Sequence, residues 1–286
     1  MCARFKVQIM GVHKLLKPQQ KGKEMSDTLI LSELENSILT ITLNRPDKLN
    51  SLNPELLEEL ASVLNSNSGN SKIRCVVLQG EGNKAFSAGF DISRIGEQGL
   101  FKDVALADPY CDAKGAIADF PQPVIAMIQG YCVGGGLEIA AACDMRIAAK
   151  DAMLGITPAK LGLAYAPNAI EMFVDLIGPA YTKELFFTGQ LVTGVRAQSM
   201  GLINLAVPGS SLIEDTYMIA KTICKNAPIS IFGIKRNVNK LMGFRQLTQE
   251  DHKELEAIRI RAANSDDLQE GKRAFLEKRP PKFQGT

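Results

Sequence analysis

Residues Gly130–Asp144 read G-Y-C-V-G-G-G-L-E-I-A-A-A-C-D and follow the apolar run P-V-I-A-M-I-Q at Pro123–Gln129. A short β-branched run of this kind predicts a buried strand. Three glycines, Gly134–Gly136, then open an apolar stretch that predicts a buried helix from Gly135 to Cys143. The first N–H groups of a helix have no partner within it and lie at its positive end, so this glycine-lined start suits an anion. Glu138 follows Gly135 by three positions and shares its helix face. A carboxylate on an otherwise apolar helix is costly unless it is paired or protonated. Burial would raise its pKa, which suits proton transfer near neutral pH. Two readings therefore stay open for Glu138: an acid–base group, or a structural ion pair with Arg146 or a lysine.

A similar unit stands upstream. Arg74–Gln79 (R-C-V-V-L-Q) predicts a strand, and after it comes the small-residue loop Ala85–Asp91 (A-F-S-A-G-F-D), whose Gly89 lets backbone approach a ligand. Leu29–Leu31 and Ser37–Leu43 predict paired strands with a turn near Glu35–Asn36. Asn53 before Pro54 predicts a capped helix whose inner face is Leu56, Leu57, Leu60 and Val63. Between about residues 80 and 120 runs a long irregular excursion with helical pieces, a length that usually signals function. Met145–Ala148 predicts another strand. Beyond Asn168 helices dominate, over 168–177, 179–187, 196–200, 213–225, 229–241, 247–263 and 266–278. The class is α/β, and the late helical third is either a second small domain or an oligomerisation layer on the same core.

Composition narrows the function. The chain has 286 residues, 45% hydrophobic and 22% charged, with net charge +2, as in ordinary globular proteins. Residues 1–24 carry six basic side chains and one acidic one, leaving 27 basic against 30 acidic in the body. That mildly acidic body speaks against nucleic acid as a partner. The leader reads as a flexible basic extension, with Met25 as an alternative start; one Arg and no Ser argue against a transit peptide. No run of 18 apolar residues predicts a membrane span. Six cysteines without a CxxC pair predict a reducing compartment, hence the cytoplasm, or an organelle matrix if residues 1–24 are a transit peptide. Two histidines leave little for a His-rich metal site or a Ser-His-Asp triad. His252 lies among Glu250, Asp251, Lys253 and Glu254 and reads as solvated. Gly80–Ala85 (G-E-G-N-K-A) imitates a dinucleotide fingerprint, but no clear helix follows it.

Several segments, in order, resemble the crotonase (enoyl-CoA hydratase/isomerase) family: N-R-P-D-K-L-N-S-L at Asn44–Leu52, A-F-S-A-G-F-D at Ala85–Asp91, the Gly130–Asp144 stretch, L-G-L at Leu161–Leu163, Thr188–Gly189, and E-G-K-R-A-F-L-E-K-R at Glu270–Arg279. The resemblance covers about residues 28–283. It implies a crotonase-like ββα spiral core over 25–210, behind the extension 1–24, and a C-terminal helical layer over 211–286 that builds a homotrimer or dimer of trimers. It implies an acyl-CoA thioester as ligand and no separate cofactor. The backbone N–H groups of Phe90 and Gly135 match the family's oxyanion-hole donors, and Glu138 matches its first catalytic glutamate. Lys48, Leu49, Ser87, Ala88 and Gly134 fall where the family meets coenzyme A or the acyl group. Phe275 and Lys278 match positions that contact the adenine end, often from a neighbouring subunit.

The family's second glutamate is missing. Its stretch here is G-I-T-P-A-K-L-G-L, Gly155–Leu163, and the acids nearest to it are Asp151 and Glu171. Hydration is served best by two acid–base groups, whereas moving one proton asks for one. The expected activity is hydration or double-bond isomerisation of an enoyl-CoA, with an enolate-like intermediate. Tyr165 is a candidate substitute donor, with a plain loop aromatic as the competing reading, and Glu171 is a reserve. The alternative is a catalytically idle acyl-CoA-binding member of the family. RNA binding is a third class, against which the acidic body argues.

Overall fold

The computed structural model describes residues 28–91, 109–242 and 263–282, with isolated helical positions between 249 and 260. The expected extension 1–24 with Met25, the middle of the 80–120 excursion, His252 and most of the 247–263 helix lie outside the described residues.

The chain starts with an antiparallel pair, β1 (Ile30–Glu35) and β2 (Ile38–Leu43). Their turn falls at Asn36–Ser37, one residue later than the sequence suggests. Both residues take left-handed φ, 51° and 66°, the geometry whose twist matches a two-residue hairpin. Helix α1 (Pro54–Asn67) begins as expected: Asn53 Oδ1 accepts the Leu56 N–H at 3.1 Å. A three-part unit then repeats. Strand β3 (Cys75–Gly80), strand β4 (Ala85–Ser87) and helix α2 (Pro109–Asp119) form the first turn. The second is β5 (Val124–Ile128), β6 (Tyr131–Val133) and α3 (Gly135–Ala142). The third is β7 (Met145–Ala149), β8 (Met153–Gly155), a 3-10 turn at Pro158–Leu161 and α4 (Pro167–Thr188).

In each unit the first strand joins one sheet and the second joins another. β9 is Val192–Thr193 and β10 is Leu205–Val207. The long sheet runs β1-β2-β3-β5-β7-β10, and the short one β4-β6-β8-β9. Within them β3, β5, β7 and β10 pair in parallel, as do β4, β6 and β8. This is a ββα spiral. The corner between sheets needs glycine at Gly130: its φ is +61°, and a Cβ there would stand 2.0 Å from the Lys84 carbonyl oxygen. The Gly80–Ala85 segment turns into strand β4 rather than a helix, which removes the dinucleotide reading.

Helix α4 breaks at Gly178 (φ 72°, ψ 167°) before Pro179, where the sequence predicts two helices. α5 (Gly194–Ser199) leads to β10. α6 (Leu212–Lys225) lies on the long sheet, and α7 (Pro228–Met242) and α8 (Asp266–Leu276) follow it. α8 packs on the 3-10 turn so closely that a Cβ at Gly271 would stand 2.4 Å from the Leu161 carbonyl oxygen. No described helix is long and apolar enough to cross a membrane.

Candidate active site

Two loops are brought side by side at the ends of β4 and β6. The first is Ser87–Asp91. The Asn44–Leu52 segment acts as its cradle. Asn50 Nδ2 donates to the carbonyls of Glu81 (3.0 Å) and Ala85 (2.8 Å), and its Oδ1 accepts the Arg45 N–H (3.0 Å). Ala88 N–H donates to Leu49 O at 2.9 Å, Leu52 N–H to Gly89 O at 2.8 Å, and Asp91 N–H to Leu52 O at 3.0 Å. The Arg45 guanidinium closes the loop on Asp91 at 3.2 Å. The parallel bridge between Leu52 and Phe90 thus runs through the groups of Gly89 and Asp91. The amide of Phe90 itself is turned away from Leu52.

The second loop is Val133–Gly135. Gly134 N–H donates to Gly155 O at 2.9 Å, and Gly134 O accepts from Leu137 and Glu138, which starts α3. Gly89 lets the loops meet: its φ is +90°, and a Cβ there would lie 2.7 Å from Val133 O and 3.4 Å from Gly135 N. The amide of Gly135, the first residue of α3, has no acceptor within the helix. Backbone N–H groups from two rigid loops beside one helix start are suited to an oxygen that gains negative charge.

Glu138 lies one helical turn into α3 and is 2% exposed. Its Oε2 accepts from Lys114 Nζ at 3.2 Å, and the hydroxyls of Tyr165 and Tyr110 lie close to the carboxyl. Burial raises the carboxyl's pKa above its ordinary value; the Lys114 charge and the tyrosine hydroxyls pull it back in part. Burial, with the carboxylate beside it, pushes the Tyr165 phenol well up, so it stays a donor. Lys114 stands 4.5 Å over the Tyr110 ring, and Tyr110 Oη donates to Gly135 O at 3.0 Å. Of the two pairings open at the sequence level, the lysine holds. Arg146 instead donates to the carbonyls of Leu202 and Cys143, at 2.8 and 2.7 Å.

Ala88, Phe90, Gly134, Gly135, Glu138 and Tyr165 line one pocket with Tyr110 and Lys114. Ser87 does not. It is fully buried, its Oγ accepts the Gly89 N–H at 3.2 Å, and Gly136 presses on it, so it supports the loop from behind. Lys48 and Leu49 are exposed on the cradle, outside this pocket. Phe275 is 55% exposed and Lys278 lies just past the end of α8; neither lines the pocket. Glu138 is the one acid among the described residues that line it. Asp151 is exposed after β7, and Glu171 sits in the second turn of α4, away from the lining.

Sequence reasoning missed Tyr110 and Lys114. Both lie on α2 four positions apart, on a face with Ala113 and Ile117. A lone lysine on an apolar helical face was the available signal.

The sequence profile described as Enoyl-CoA hydratase/isomerase matches residues 33–286. The methylmalonyl-CoA decarboxylase of Escherichia coli is 33% identical over 251 residues, covering 87% of this chain and 95% of that protein. The short-chain-enoyl-CoA hydratase of Clostridium acetobutylicum is 32% identical over 213 residues, covering 74% of this chain and 82% of that protein. A solved methylmalonyl-CoA decarboxylase in complex with 2-nitronate-propionyl-CoA superposes with a TM-score of 0.85 at 31% identity, covering 91% of this chain and 99% of that one.

Proposed function

The chain belongs to the enoyl-CoA hydratase/isomerase family and is a crotonase-type acyl-CoA enzyme, and from that premise we propose that it forms a thioester enolate and protonates it with one acid, Glu138. The observation that carries this is the single carboxyl of the described pocket, buried beside two loop amides. Among the family's outcomes, one-acid chemistry suits decarboxylation of a 2-carboxyacyl-CoA. The bond from the α-carbon to the carboxylate breaks and carbon dioxide leaves. The electron pair moves to the thioester oxygen, held by the amides of Phe90 and Gly135. The enolate carbon then takes the Glu138 proton, and water reloads the carboxylate. Likeness to methylmalonyl-CoA decarboxylase supports this outcome. Hydration lacks its usual second acid. Isomerisation of an enoyl-CoA is the second reading, since one carboxylate can remove and return the same proton.

Coenzyme A arrives with the substrate, so the reaction asks for no separate cofactor, and a cytoplasmic setting follows the free-thiol reading. Lys48, Leu49, Phe275 and Lys278 are assigned to the coenzyme A end. Apolar side chains left exposed on α6 to α8, among them Ile213, Ile229, Leu241 and Leu276, support assembly into trimers.

The test is mass spectrometry of methylmalonyl-CoA, 2-enoyl-CoA and 3-enoyl-CoA incubated in deuterium oxide. The expected result is loss of carbon dioxide from the first with one deuterium gained, dependent on Glu138. Hydration of the 2-enoyl-CoA with no decarboxylation would overturn the reading. Thermal stabilisation by acyl-CoA without turnover of any would establish an idle binder.

A further inference from the structure

Lys114 has no counterpart in the chemistry proposed above, yet it enters the pocket at the reacting acid. Its side chain is 15% exposed, its ammonium is 3.2 Å from Glu138 Oε2, and the Tyr110 ring lies 4.5 Å beneath it. A buried cation left without its carboxylate is costly, as is the carboxylate without it, so each fixes the other. Tyr110 extends the arrangement, since its ring lies under the ammonium while its hydroxyl donates to the carbonyl of Gly135 at the oxyanion end of α3.

We propose that Lys114 is the positioning residue for Glu138: its ammonium aims the carboxyl at the pocket and stabilises the carboxylate left when the proton goes to carbon. This rests on the one-acid reading of the site. A buried acid with no cation beside it would hold its proton too firmly to give it up. Among the described residues, the titratable groups facing Glu138 are Lys114 and Tyr110 from α2 and Tyr165 from the segment before α4, with Cys111 also on the pocket wall. Lys114 is the one basic side chain among them.

The sign follows. With Lys114 replaced by an uncharged chain, Glu138 keeps its proton to higher pH. Any step that needs the carboxylate then starts at higher pH, and proton donation slows. The experiment is an infrared titration of the Glu138 carboxyl C=O stretch in folded protein, with the Glu138→Gln spectrum subtracted. Lys114→Met should move the midpoint up by about 1–3 pH units, and Lys114→Arg should bring it back toward wild type. The pH profile of α-deuterium exchange into an acyl-CoA should move with it. A midpoint unmoved by Lys114→Met overturns the proposal, even if turnover falls. The infrared readout needs no turnover: a shifted midpoint in a protein inactive on every thioester sinks the proposed function and leaves this pairing standing.

Discussion

Among the described residues two buried lysine–carboxylate pairs stand out, and they do different work. Lys114 meets Glu138 at 3.2 Å in the pocket; Lys235 of α7 meets Asp144 at 2.7 Å beneath the helical layer. Lys235 spends its three donors on Asp144 and the carbonyls of Ile117 and Gln122, at 3.4 and 3.3 Å. Asp144 Oδ2 also accepts the Val124 N–H at 2.7 Å. This pair joins α7, the end of α2 and the start of β5, with its groups turned to fixed backbone. Glu138 is met by side chains and faces the pocket. Burial and pairing alone therefore do not mark a catalytic acid; what the carboxylate faces does.

The sharpest way to break the comparison is to neutralise each carboxylate and measure turnover. Glu138→Gln should lower kcat by about 10²–10⁴-fold, the usual contribution of a positioned acid. Asp144→Asn should leave kcat per folded molecule near wild type. Equal losses in the two variants would erase the distinction. A second large effect is expected at Gly89, which touches neither pair. Gly89→Ala puts a methyl group 2.7 Å from Val133 O at a φ of +90°, so the Phe90 and Gly135 amides must part. Losing one oxyanion donor costs about 2.7–4 kcal/mol in transition-state stabilisation, so kcat should fall by about 10²–10³-fold with acyl-CoA binding retained. Full turnover in this variant would show that the loop contact is incidental.

Stability reverses the ranking. Lys235→Met leaves Asp144 without its cation and frees two carbonyls, and breaking such a buried pair costs about 3–5 kcal/mol. Denaturant unfolding should show that loss without a change in the acid–base pH profile. Unchanged unfolding would mean that α7 is held by its apolar contacts alone.

Most of this contrast was legible in the sequence on the pocket side. Asn44–Leu52, Ala85–Asp91 and Gly130–Asp144 carry local rules: a Pro-started turn, a capped helix, glycines where backbones nearly touch. Those rules act within a few residues, so periodicity and turn chemistry expose them. The partner of Glu138 was not legible, because Lys114 reaches it from a helix beyond an irregular excursion, and no local rule fixes where such a helix docks. The side chain of Ser87 is a related case. Its place in the motif sets it in the ligand loop, while the side chain is buried against Gly136 of α3 and accepts the Gly89 N–H, a contact that no local rule of sequence foretells.

The smallest effect uses thiols as reporters of the two surroundings. Cys75 and Cys143 lie near Asp144 and Lys235, and burial pushes both thiols up to about 12. A thiol so buried and so rarely ionised reacts slowly. Cys111 is exposed and lines the pocket beside Lys114. Iodoacetamide with peptide mass spectrometry should label Cys111 in native protein and leave Cys75 and Cys143 unlabelled until unfolding. Acyl-CoA, by filling the pocket, should slow Cys111 several-fold and leave the other two unchanged. Lys235→Met should do the opposite, letting Cys75 and Cys143 react while Cys111 keeps its rate. If acyl-CoA protects all three alike, ligand binding tightens the whole fold, and the two pairs are coupled rather than separate.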